Sequence, residues 1–190
     1  MEQLLINNSK IIFTIIIIAI IFFFLINTHK EKVNVTDIIK KHISTLKLFG
    51  GNKIEKNDIN LFFIMPIFIA LLILMYINID DTRIGIIVTA FTIFIGLLFN
   101  ILAILLAFDG ERNRKLDREY MRQVLYNVSF SIIVAIVVIV VSMLRFINFK
   151  CYIYYVLDFI LIYLVCVFIL SLFMVLKRLF NLLVKKIDEI

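Results

Sequence analysis

The residues with chemistry in this chain are few, and most stand inside long apolar runs. The most regular set is Gly85, Thr89, Thr92, Gly96 and Asn100, continued by Ala103 and Ala107. Steps of three and four place these small and polar side chains on one face of a helix. The remaining faces are Ile, Leu and Phe. Such a stripe supports two chemistries. Small residues let a second helix backbone approach closely, with Thr and Asn hydrogen-bonding across the contact. The same face can instead line a water-filled pore at the centre of an oligomer. Both readings stay open from sequence.

Asp158 is an acid within an apolar run, and Arg145 stands near the end of the run before it. A charge at membrane depth costs on the order of 2–3 kcal/mol and needs a partner or a task. The pair can tie two helices together, or Asp158 can join Asp80 and Asp81 in an acidic outer cluster that attracts cations. Pro66, the lone proline, frees a backbone carbonyl inside another apolar run. It serves either as a packing bend or as a gating hinge. The histidines, His29 and His42, share no Cys or acidic cluster at metal-ligand spacing, so neither a metal nor a cofactor is expected. No Ser has a His or Lys partner at membrane depth, and Gly50-Gly51 is an isolated pair rather than a phosphate loop. The chain reads as non-enzymatic. Cys151 and Cys166 read as free thiols.

The elements that carry these residues follow from composition. Of 190 residues, 63% are apolar and 18% charged, against roughly 45–50% apolar in soluble domains. A mean hydropathy of +1.08 excludes a water-soluble enzyme and a disordered chain. An all-α integral membrane protein forming a single polytopic domain is predicted. A helix needs about 20 apolar residues to cross a bilayer. Five spans satisfy this: Ile11–Asn27, Leu61–Ile79, Ile84–Phe108, Ser129–Asn148 and Tyr152–Leu176. The first has neither the basic leader nor the cleavage site of a signal peptide.

Lysine and arginine orient the spans. With five crossings, segments 28–60, 109–128 and 177–190 share one side and hold sixteen of these residues; the other side holds Lys10, Arg83, Arg145 and Lys150. The positive-inside rule then puts the N-terminus outside and the C-terminus in the cytoplasm. The outer connections are short, predicting tight antiparallel pairs of spans two and three and of spans four and five. Tyr76, Tyr152, Tyr154 and Tyr155 mark the outer boundary. The cytoplasmic segments carry helical patterns over Thr36–Phe49, from Leu116 into span four, and from Leu176 to Ile187. These either lie on anionic lipid or bundle into an extension. Lys40, Lys41, Arg112, Arg114, Lys115 and Arg118 are candidate contacts for an anionic ligand, though the positive-inside rule alone explains a basic face.

The stretch LLFNILAILLAFDGERNRKLDREYMRQVLYNVSFSIIVAIVVIV, residues 97–140, ends one span in a charged helix that re-enters as the next. This plan resembles the small multi-pass membrane effectors of bacterial anti-phage systems, including the Hailong type. The resemblance covers under a quarter of the chain. It implies an oligomeric channel that depolarises the infected cell, under control of a cytoplasmic nucleotide, oligonucleotide or partner enzyme. The expectation is therefore a homo-oligomeric ion channel acting as a cell-arrest effector. The rival expectations are a non-conducting scaffold subunit and a small proton- or cation-coupled transporter using Asp158.

Overall fold

The computed structural model describes residue 16 and residues 35–45, 60–108, 115–147 and 151–187; for 106, 108, 115–120, 151, 182, 183 and 185–187 it describes the backbone alone. Every regular element among them is helical. In chain order they are α1 (Val35–Thr45), a π-helical turn (Asn60–Ile64), α2 (Met65–Tyr76), α3 (Asp81–Phe108), α4 (Lys115–Leu144) and α5 (Cys151–Ile187). The protein is an all-helical membrane protein: α3, α4 and α5 are each long and apolar enough to cross a bilayer, over Asp81–Leu105, Met121–Leu144 and Tyr152–Asn181. The π-turn and α2 together make a shorter apolar helix, Asn60–Tyr76. Of the expected first span, Ile16 alone is described; it is helical and exposed.

The chain divides into two units, Met1–Lys40 and Lys41–Ile190, with the boundary inside α1. In the second unit α4 and α5 pack most extensively, α3 packs on α4, and α2 packs on α5. The helix order across the unit is thus α3, α4, α5, α2. The short connection between α2 and α3 predicts that these two pair, but the main partner of α2 is α5. The reason lies in residues 77–80. Ile77 is extended (φ −123°, ψ 117°), and four non-helical residues can separate two helix ends by roughly 13 Å.

Pro66 stands in the first turn of α2, buried, where the π-turn gives way to α-helix. Proline cannot donate to the carbonyl four residues back, and its ring crowds that carbonyl. A wider turn before it relieves both problems. The proline thus sits at a helix start, where its missing N–H costs least.

Each helix presents a different amount of apolar surface to its neighbours. On α3, Ile84, Phe91 and Leu98 recur every seven residues and are buried. Phe91 and Phe94 meet the ring of Phe168 on α5, at 4.7 Å and 5.5 Å between centroids. Helix α4 is flanked on two sides, and Val124, Val128, Ala135 and Val138 are fully enclosed. It runs unbroken from the charged segment Lys115–Arg122 into the uncharged stretch 123–144.

Candidate functional site

Two arginines fasten the α4–α5 pair at opposite ends. At one end Arg145 Nε donates to Asp158 Oδ1 at 2.9 Å, and Arg145 Nη2 donates to the Ile79 carbonyl at 3.3 Å. The guanidinium also lies 4.0 Å from the centre of the Tyr154 ring. Both charged side chains are largely enclosed, 16% and 10% exposed. Asp158 is therefore committed to a structural ion pair. Asp80 does different work: its carboxylate accepts from the Arg83 backbone N–H at 2.9 Å and caps α3, while Asp81 lies in the first turn. Asp80 pairs with the Arg83 side chain at 3.9 Å on an exposed surface. Of the four expected outer charges, the structure joins Arg145 to Asp158 and assigns Asp80 to its own helix.

At the other end Arg178 Nη2 donates to the Thr45 carbonyl at 2.6 Å and Nη1 to the Gln123 carbonyl at 3.3 Å. Gln123 and Arg145 are 22 residues apart on the chain of α4, about 33 Å at 1.5 Å per residue. That matches a hydrocarbon core of about 30 Å. Between the two ends, Ser131 Oγ and Ser171 Oγ meet at 2.7 Å, a hydrogen bond across the α4–α5 contact.

Beside Arg178 lies a cluster that sequence reasoning missed. His42 is fully buried, its ring stacked on Phe130 with centroids 3.8 Å apart and planes 3° from parallel. His42 Nδ1 is 2.9 Å from Asn127 Oδ1, and the Thr45 hydroxyl donates to the same oxygen at 3.0 Å. Phe62 of the π-turn closes another side, 5.3 Å from the His42 ring. An acceptor at Nδ1 fixes the neutral tautomer with hydrogen on Nδ1. Burial lowers the His42 pKa to about 4; the Asn127 bond opposes the shift and the Arg178 charge adds to it. The Phe130 face would favour a cation, but one ring cannot replace the water that a fully buried imidazolium gives up.

The face of α3 turned away from α4 and α5 is the third feature. Gly85, Thr89, Thr92, Gly96 and Asn100 are all exposed, as are Ala103 and Ala107. A Cβ at Gly85 or Gly96 would meet nothing within 4 Å. Among the described residues, no helix packs on these glycines. Thr89 Oγ donates to the Gly85 carbonyl at 2.9 Å and Thr92 Oγ to the Val88 carbonyl at 2.8 Å. With their protons spent within the helix, both hydroxyls offer lone pairs outward. The result is a row of oxygen acceptors and small side chains about 22 Å long, from Gly85 to Asn100.

Of the basic residues singled out from sequence, Lys40 and Lys41 are exposed, and the Lys41 ammonium lies 5.3 Å from the centre of the Tyr126 ring. Lys115 and Arg118 belong to the first turns of α4; Arg112 and Arg114 lie outside the described residues. No group of three or more metal-binding side chains occurs among the described residues. Cys166 is a half-buried free thiol on α5. No family model, curated protein or solved structure matches the chain.

Proposed function

We propose that the chain is a multi-pass protein of a bacterial cytoplasmic membrane that assembles with copies of itself into an ion channel, with the α3 face around the axis. The observation that carries this reading is the contrast between the two sides of α3. One side buries Ile84, Phe91 and Leu98; the other leaves Gly85, Thr89, Thr92, Gly96 and Asn100 exposed, with no neighbour among the described residues. Acceptor oxygens facing lipid would forgo hydrogen bonds, whereas facing a shared axis they find water, ions or a second copy.

In this reading five spans put the N-terminus outside and the basic segments inside. Arg145–Asp158 marks the outer border, and Arg178 the inner one. The protein is then a non-catalytic effector, opened from the cytoplasmic side in anti-phage defence by a nucleotide, an oligonucleotide or a partner enzyme, as the resemblance of residues 97–140 implies. The pairing of Asp158 with Arg145 speaks against a proton carrier at that position, since a carrier must release its counter-ion in each cycle.

The test is ion flux from liposomes holding the purified protein. Flux that falls several-fold on Thr92→Leu or Asn100→Leu supports the channel. A protein that assembles but passes no ion under any condition, including with added nucleotides or oligonucleotides, is a scaffold instead.

A further inference from the structure

We propose that the His42–Asn127 contact is an acid-released latch: the neutral imidazole holds the last turn of α1, Lys41–Thr45, on the α4–α5 pair, and protonation lets that turn go.

The geometry centres the attachment on one ring, with Thr45 adding to it. His42 contributes a stacked face to Phe130, a tilted ring contact to Phe62 and a hydrogen bond to Asn127. Thr45 adds a bond to the same Asn127 oxygen and offers its carbonyl to Arg178. The ring is fully enclosed, and Nε2 has no hydrogen-bond partner among the described residues. A proton added at Nε2 would create an N–H donor and a full charge where no acceptor is provided.

The ionisable groups around the ring do not compensate. From α5 the charged neighbour is Arg178, with Lys177 exposed beside it. From α4 they are Tyr126 and the exposed Arg122, one turn before it. The π-turn, Asn60–Ile64, supplies none. On α1 itself they are Lys41, placed over Tyr126, and Asp37 five residues earlier. The cation acting on the ring, Arg178, repels a second positive charge. Once the turn is released, the imidazole regains water and an ordinary affinity for protons, about 6.5. Closed and open forms therefore differ in proton uptake, so acid favours the open form by linkage.

This device stands apart from the channel reading and is tested without it. The full chain is placed in lipid nanodiscs, and amide hydrogen exchange over Lys41–Thr45 is followed from pH 8 to 4.5, corrected for intrinsic exchange. The expected result is constant protection above pH 7 and a loss of about tenfold per pH unit between 6.5 and 4.5. In His42→Phe, which keeps the stacking, protection no longer varies with pH. Protection that is flat in the native chain, or that falls equally in His42→Phe, overturns the latch. Should that variant fold poorly, the carbon-13 Cε1 resonance of His42 in a His29→Gln background decides. Titration below pH 5 supports the latch, and titration at 6.5 or above contradicts it.

Discussion

His42 Nδ1 lies 2.9 Å from Asn127 Oδ1, joining residues 85 apart in sequence at the buried end of the α4–α5 pair. One amide oxygen accepts from both His42 and Thr45. Asn127→Leu removes that acceptor and strands the buried His42 Nδ1–H, while the Thr45 hydroxyl keeps the His42 carbonyl at 2.6 Å. A stranded donor costs about 1–3 kcal/mol, so Asn127→Leu should lower unfolding free energy by that much. Asn127→Asp, which keeps an acceptor, should lose less at pH 7, because a carboxylate there also meets Arg178 nearby. Unfolding of the detergent-solubilised variants in denaturant checks both.

Stability should also depend on pH through His42. Its pKa is held at about 4 in the fold and returns toward 6.5 on unfolding. Between those values the unfolded chain binds the extra proton, so stability rises with pH across the window and is lost as pH falls through it. The slope is at most about 1.4 kcal/mol per pH unit for one histidine. His42→Phe should flatten that part of the curve, measured as thermal midpoint against pH from 4.5 to 7.5.

The Arg145–Asp158 pair is enclosed, so each partner depends on the other. Arg145→Met alone leaves a carboxylate without its cation and should cost about 3–5 kcal/mol. Asp158→Asn keeps an acceptor and should cost less. The double variant Arg145→Met, Asp158→Leu should recover much of the single loss, since both charges leave together. Comparable losses that simply add would mean that the two side chains do not couple.

Gly96 separates folding from assembly. A Cβ there meets nothing within 4 Å among the described residues, and Ala in place of Gly favours a helix by about 1 kcal/mol. Gly96→Leu should therefore leave the unfolding of a single chain unchanged or improved. If α3 faces a second copy closely, the same change should shift the protein to smaller assemblies by light scattering in detergent.

Much of the helical frame is legible in composition. Uncharged stretches such as 84–108, 123–144 and 159–176 are long enough to span, and they coincide with α3, α4 and α5. The Arg145–Asp158 pair is legible too, because a short connection brings a lone acid and a lone base to the same level. The partner of α2 is not, since adjacency in sequence says nothing about four extended residues at 77–80. The His42 cluster joins Thr45, Asn127 and Arg178, which no local spacing connects. A signal existed nonetheless: Asn127, Ser131 and Ser142 lie on one face of α4, and Ser171 and Arg178 on one face of α5. Polar residues aligned within apolar helices point at one another. By contrast the α3 stripe is legible from spacing alone, because steps of three and four put its residues on one helix face.

The central claim is that this stripe surrounds an aqueous path. In a background without Cys151 and Cys166, Thr92→Cys is placed on the α3 face and Val140→Cys on the exposed side of α4 as control. Currents across a planar bilayer are recorded before and after a charged, water-soluble thiol reagent. The expected result is loss of most current at Thr92→Cys and none at Val140→Cys. Conductance that the reagent leaves unchanged at Thr92→Cys, or blocks equally at both positions, contradicts a pore lined by α3.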